Sequence, residues 1–149
     1  MTGAYTRHYF DMYLPYMEGM ECVELIDVDR FKQINDTYGH PAGDVILRDI
    51  ASAIQSCIRS TDILIRYGGD EFLLLFPQMS EEYMREKNKK IKDAVESIVV
   101  SEYPDLHLSV SIGGVCGIHP ITEAIDQADM MMYENTGNSM GKSIDGTDK

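Results

Sequence analysis

Positive charge is scarce in this chain. Lysine and arginine total 13 against 25 aspartates and glutamates, leaving a formal net charge of −12 over 149 residues. Sequence-independent binding to DNA or RNA needs a basic face, so nucleic acid is excluded as a broad partner. A nucleotide ligand stays open, because a bound divalent cation reverses the local sign of a carboxylate site. Long apolar runs are missing too. None approaches the roughly 18 to 20 residues of a membrane span, and no signal peptide is expected. The expectation is a domain without membrane contact of its own, placed in the cytoplasm. The cysteines Cys22, Cys57 and Cys116 are odd in number and form no CxxC pair. They read as reduced, mostly buried thiols. Repeats and dividing linkers are absent, so residues 1–149 read as one domain able to bury a sizeable core. The opening "MTGAYTRHYF" is already helical in character. It suggests a module cut from a longer protein, with a regulatory region upstream.

What is present alternates between helical and extended patterns. Residues 5–18 carry aromatic and methionine side chains at helical spacing, with Pro15 bending or ending the helix. "CVELIDVD" (22–29) reads as a buried strand whose end turns polar. "RFKQINDTYGH" (30–40) is a short helix closed by Gly39, and 41–58 is an amphipathic helix. "DILIRYGGDEFLLLF" reads as a hairpin, with Gly68 and Gly69 supplying positive φ angles at its turn. A helix over 80–100 starts at an N-cap Ser80. Residues 106–118 form a strand region interrupted by Gly113-Gly114, and 121–137 a last helix with Thr122 as N-cap. The tail, about 138–149, is expected to fray. A hairpin set among helical crossovers implies a mixed sheet covered by helices, an α/β (α+β) fold.

Acidic groups stand beside two strand ends: Asp27 with Asp29, and Asp70 with Glu71. Both strands are apolar enough to be central. If they are neighbours, Asp27 approaches the hairpin tip. Crowded carboxylates raise one another's pKa, and a hard divalent cation relieves the repulsion; oxygen ligands of this kind select Mg²⁺ or Mn²⁺. The residues alone leave a second reading open, a solvated Gly-Gly-Asp turn.

"RYGGDEF" together with "IDVDRFKQINDTYGHPAGD" resembles the GGDEF family of diguanylate cyclases, which join two GTP molecules into cyclic di-GMP and release two pyrophosphates. "TGAYTRHYF", "SVSIGG" and "ADMMMY" are similar to further segments of that family, in the same order. The resemblance implies a central mixed, mostly antiparallel five-stranded sheet with flanking helices, like nucleotidyl cyclase and polymerase palm domains. It implies that Asp27, Asp70, Glu71 and the backbone carbonyl of Val28 hold two Mg²⁺ or Mn²⁺ ions. Glu71 would bind the second ion or help to deprotonate the attacking 3′-hydroxyl. Asn35 and Asp44 match the pair that reads the guanine edge, and Asp44 favours guanine in both halves of the product. Phe31, Lys32, Gly68 and Gly69 would lie against the nucleotide, Lys32 as a phosphate contact. "RSTD" is similar to the family's inhibitory RxxD site, which implies that Arg59 and Asp62 bind cyclic di-GMP; as plain residues they are a helix-end arginine and a turn aspartate. Lys87, Lys89, Lys90 and Lys92 add either a contact from a partner domain or a solvated face. A second GGDEF domain must supply the other GTP, so a homodimer is implied.

The chain departs from the family near its end. Thr136 and Met140 stand where a phosphate-binding Lys and Arg are usual, and Lys142 is the nearest substitute. Thr6 and His8 replace an Asn and an Arg of the opening segment. These changes support an alternative: a weakened domain that binds GTP or cyclic di-GMP as a signalling module. Met130, Met131 and Met132 read as helix packing. His40 and His119 adjoin prolines in turns and have no partner at metal-ligand spacing.

Overall fold

A computed structural model of the chain describes residues 4–140, with side chains to Glu134. Five strands form one sheet in the order β1-β3-β4-β2-β5. They are β1 (Tyr5–Thr6), β2 (Cys22–Val28), β3 (Ile63–Arg66), β4 (Glu71–Phe76) and β5 (Val110–Cys116). β1 runs parallel to β3, and every other neighbouring pair is antiparallel. The helices are α1 (Arg7–Tyr13), α2 (Phe31–Tyr38), α3 (His40–Gln55), α4 (Glu81–Glu96) and α5 (Ile121–Met140).

Strand alternation sorts the core into two layers. Cys22, Ile26 and Val28 of β2 and Phe72, Leu74 and Phe76 of β4 face α3 and α4, where Ile46, Ile50, Ile54, Met84, Ile91 and Val95 meet them. Val23, Leu25, Leu73 and Leu75 point the other way, onto Phe10 of α1 and Ala124, Ile125 and Ala128 of α5. Both faces of β2 and β4 are therefore covered, which is why these strands read as nearly continuous apolar runs. Full burial of one such side chain contributes about 1.5–3 kcal/mol.

Several expected features fall elsewhere. The first helix begins at Arg7 and passes into a 3₁₀ turn over Leu14–Tyr16, because Tyr5 and Thr6 pair with β3 instead. Neither Gly68 nor Gly69 has a positive φ; among the described residues that conformation belongs to Gly39, Gly117 and Arg30. The tip closes with the Tyr67 and Gly68 amides both donating to the Glu71 carbonyl, at 2.8 and 3.1 Å.

Gly113-Gly114 does not interrupt β5. A Cβ at Gly113 would lie 2.1 Å from the Met132 amide nitrogen and 2.3 Å from the Ala128 carbonyl, so the bare position lets α5 press onto the strand. Thr122 sits inside the first turn of α5 and is not its cap: the Pro120 carbonyl accepts from Glu123 and Ala124, and the Glu18 carboxylate accepts from the Ile121 amide at 3.0 Å. Ser80 does cap α4, accepting from Tyr83. α5 continues to Met140, and the remaining tail lies outside the described residues. Finally, Cys22 and Cys116 are not thiols here but a disulfide, because they fall opposite each other on adjacent strands; Cys57 alone is free.

Candidate active site

β2 and β4 lie side by side, and their register sets Asp27 directly opposite Glu71. Directly opposed residues on an antiparallel pair share a face, so both carboxylates stand on the α5 side of the sheet, at the end where β2 stops. Asp70 follows in the hairpin tip. Its backbone carbonyl accepts from the Val28 amide at 3.1 Å, which ties the tip to the last residue of β2. Arg66 braces the tip from beneath, its Nη2 donating to the Gly69 carbonyl at 2.7 Å. All three acids are half-buried, neither lost in the core nor free in solvent. Arg7 adds a support from α1. Its guanidinium lies 3.9 Å over the Tyr67 ring and donates to the Tyr67 carbonyl at 3.3 Å. Burial raises the pKa of the Tyr67 phenol, and the nearby Arg7 charge partly offsets that rise.

Asp29 is held apart from this group. Ser109 and Ser111 of the β5 side each donate to its carboxylate at 2.6 Å, and its amide donates to the Ser109 carbonyl. The serines had no assigned role in the sequence reading. Their signal was a pair of hydroxyls at i and i+2 entering an apolar strand. Arg30 follows in the left-handed conformation, φ 56°, and turns the chain into α2.

On α2, Phe31 and Asn35 pack towards α3 at Gly43. A Cβ there would lie 2.0 Å from Asn35 Oδ1 and 3.0 Å from Phe31 Cζ, so glycine admits the Asn35 side chain beside the helix turn that carries Asp44. Asn35 Oδ1 is buried without a hydrogen bond, whereas Asp44 is exposed. Lys32 points away into solvent and pairs with Asp36 at 3.1 Å, with 90% of its side chain exposed. The structure thus brings Asp27, Val28, Asp70 and Glu71 together with Gly68 and Gly69, and gathers Phe31, Asn35 and Asp44 at the α2–α3 junction. It does not aim Lys32 at either group. Lys142 lies outside the described residues, as do the side chains of Thr136 and Met140.

Among the described residues, no three His, Cys, Asp or Glu side chains are arranged to enclose an ion by themselves. The donor set at the strand ends is all oxygen: the opposed Asp27 and Glu71 carboxylates, Asp70 next to Glu71 in the chain, and backbone carbonyls. That chemistry fits a hard cation such as Mg²⁺, which is bound by one or two carboxylates and completes its octahedron with water and substrate phosphates.

Arg59 and Asp62 face each other beyond the C-terminus of α3. The Arg59 amide and Nε donate to Asp62 Oδ2 at 2.8 and 3.3 Å, and Nη2 donates to Oδ1 at 3.0 Å and to the Gln78 carbonyl. The Asp62 side chain is fully buried while Arg59 stays 42% exposed. The hydrogen bond that Arg59 donates to Asp62 raises the Arg59 pKa further.

Comparison with known proteins places this arrangement. The family profile described as "Diguanylate cyclase, GGDEF domain" matches residues 17–142. Diguanylate cyclase DosC of Escherichia coli is 41% identical over 115 residues, 74% of this chain and 25% of that protein. Diguanylate cyclase A of Treponema denticola is 34% identical over 122 residues, 79% of this chain and 33% of that protein. The chain therefore spans a quarter to a third of these curated relatives. Among solved structures, diguanylate cyclase SiaD of Pseudomonas aeruginosa, in complex with its activator SiaC, superposes with a TM-score of 0.85 at 28% identity, covering 92% of this chain and 56% of that one. The GGDEF domain of DgcB from Caulobacter crescentus, in complex with c-di-GMP, gives 0.82 at 27% identity, covering 92% and 88%. With a sheet, a carboxylate-bearing hairpin and a sequence that all agree, the chain belongs to the GGDEF family of diguanylate cyclase domains.

Proposed function

We propose that this domain condenses two GTP molecules into cyclic di-GMP, with release of two pyrophosphates. The observation that supports it most is the placement of Asp27 opposite Glu71, with Asp70 tied to Val28 at the same strand end. Asp27, Asp70, Glu71 and the Val28 carbonyl would hold two divalent cations, Mg²⁺ or Mn²⁺. When bound, such ions activate a 3′-hydroxyl and neutralise charge on the leaving pyrophosphate. The chain's own groups do the rest. Gly68 and Gly69 leave backbone against which the phosphates lie. Asn35 and Asp44 read guanine: the carboxylate accepts from N1–H and N2–H, and the amide donates to O6 or N7. Glu71 accepts the proton of the attacking hydroxyl.

Each domain presents one GTP, so two domains facing each other orient the 3′-oxygen of one against the α-phosphorus of the other. Positioning supplies much of the rate, so the isolated domain turns over slowly. GTP as substrate places the domain in the cytoplasm.

The test is incubation with GTP and Mg²⁺ at rising protein concentration, with cyclic di-GMP and pyrophosphate separated by chromatography. The expected outcome is product whose specific rate climbs with concentration and disappears in Asp70→Ala. No product at any concentration, with tight calorimetric binding of cyclic di-GMP, would establish the signalling-module alternative instead.

Arg59 and Asp62 serve as the inhibitory site in this reading. The exposed face of the Arg59 fork meets a guanine or phosphate of the product while buried Asp62 holds the fork in place. Arg59→Ala is expected to raise product yield late in the reaction without changing the initial rate. Superimposable progress curves would remove feedback from the proposal.

A further inference from the structure

Two cysteines unused by the proposed chemistry meet at the opposite end of β2 from the carboxylates. Cys22 opens β2, Cys116 closes β5, and the two are direct register partners with Cα atoms 4.0 Å apart. Cys22 is wholly buried. Cys116 is half-buried, and the chain leaves it through the exposed, positive-φ Gly117. Cys22 is therefore shielded, and Cys116 is the more exposed residue of the pair. Met84, in the first turns of α4, lies over the pair, its Sδ 3.8 Å from Cys116 Sγ. Cys57 stands apart near the end of α3 and is unbridged. The β2–β5 ladder is thus fastened at both ends. Ser109 and Ser111 hold Asp29 at one, and the sulfur pair closes the other across 94 residues of sequence.

A chain in a glutathione-buffered compartment meets both small disulfides and small thiols, and thiol–disulfide exchange with them enters through the more exposed residue of a bridged pair. We propose that Cys22 and Cys116 are a reversible dithiol–disulfide pair, closed by low-molecular-weight disulfides of the glutathione class and opened by the corresponding thiols, which clips β2 to β5. In closing, the Cys116 thiolate attacks one sulfur of the small disulfide, whose S–S bond breaks to release one thiolate and leave a mixed disulfide on Cys116. The Cys22 thiolate then attacks Cys116 Sγ and expels the second small thiolate. The two cysteine protons pass to the two leaving thiolates. Two electrons move from the protein to the small disulfide, and the products are one protein disulfide and two small thiols. Cys116 is the entering residue because it is the more exposed of the two, and Cys22 resolves because Cys116 is its register partner. Closure restricts the unfolded chain and so stabilises the fold. It leaves the strand register at the carboxylate end unchanged. The inference rests on the fold and not on the cyclase reading, beyond the compartment that reading assigns.

The test equilibrates the whole chain in buffers of graded reduced and oxidised glutathione, quenches with acid, alkylates the free thiols and maps them by mass spectrometry. Melting temperature is measured at each ratio. Expected is the joint loss of alkylation at Cys22 and Cys116 in one two-electron step, reversed by reduced glutathione. Cys57 is expected to stay alkylated throughout, and the melting temperature to rise by about 5 °C or more on closure. Cys116→Ser should abolish both the step and the rise. Alkylation of both residues at every ratio would overturn the proposal. So would a bridge that glutathione never opens, a stable glutathione adduct as end product, pairing through Cys57, or an unchanged melting temperature. The wild-type measurements decide the matter even if the serine variant fails to fold.

Discussion

β2 carries an acid on each of its faces, and the fold treats them in opposite ways. Asp27 is half-buried at the strand end, opposite Glu71 and beside the hairpin tip. Glu24, mid-strand on the α4 face, has no exposed surface. Gly114 beside it leaves the space it fills: a Cβ there would lie 2.7 Å from Glu24 Cγ and 3.0 Å from Met84 Cε. Neither Glu24 oxygen makes a hydrogen bond of normal geometry. Its neighbours across α4, β4 and β5 are Met84, Asn88, Leu74 and Gly114, none of them charged. Burial pushes this acid up to about 8, with the Asn88 side chain pulling the other way. One strand therefore carries a half-buried carboxylate at its end and a wholly buried acid whose neutral form is favoured at its middle. What separates them is depth and neighbours, not residue chemistry.

The comparison is most sharply broken at the strand-end group, by removing Asp70 from the hairpin tip beside Asp27. Asp70→Ala should cut GTP turnover roughly a hundredfold or more, since even residues that only orient metal ligands cost 10–100-fold. Its melting curve should scarcely change. A turnover assay beside a thermal scan checks both, and a large loss of stability would mean that the tip carboxylates serve the fold.

Glu24→Gln should do the reverse, leaving turnover near wild type and changing stability. The sign follows from linkage. The folded pKa is raised, so the folded state holds a proton that the unfolded state loses. The neutral acid's full contribution is present below the ordinary value of 4.5 and drains away as pH rises to about 8. By pH 7 the drain amounts to about 3 kcal/mol. Denaturation from pH 5 to 8 should show the wild type weakening and the glutamine variant nearly level. Parallel curves would mean that Glu24 is already ionised in the fold.

The two adjoining glycines of β5 probe the faces themselves. Gly113→Ala should cost more than Gly114→Ala, because its methyl group meets the backbone of α5 whereas that of Gly114 meets side-chain atoms of Glu24 and Met84. Overpacking of this kind costs about 1–3 kcal/mol, with Gly113 at or above the upper end. Urea unfolding ranks them, and equal losses would show that α5 shifts freely. The smallest effect is expected from Ser111→Ala, which removes one hydrogen bond to the Asp29 carboxylate; with water able to reach that half-buried acid the net loss is about 0.5–1.5 kcal/mol. A lower midpoint with unchanged Mg²⁺ dependence of turnover would keep Asp29 out of the cation group.

The parts readable in sequence were those set by local pattern. The apolar runs of β2 and β4, the N-cap Ser80 and the paired acids at the strand ends all stand where periodicity and capping chemistry put them. The parts that escaped depend on partners distant in sequence. Cys22 and Cys116 became neighbours only through the β2–β5 register, and the Asp29 serines arrive from the same strand. Glu24 was hidden inside an apolar run because its burial depends on Gly114 opposite. Two residues, Tyr5 and Thr6, are too few to show a period, so their parallel pairing with β3 read as helix. The hairpin glycines misled in another way. Four residues from Tyr67 to Asp70 close the tip, so the two-residue turn that demands positive φ never forms.

That brief parallel pairing has a mechanical consequence. Tyr5 and Thr6 are stitched to Ile65 and Arg66, and Arg7 clasps Tyr67, immediately ahead of the glycines. A pull or twist delivered at Ala4 therefore has a backbone route to the Gly68–Asp70 tip along the sheet's edge. The first residues of the fold act as a short lever on the loop that carries the acids.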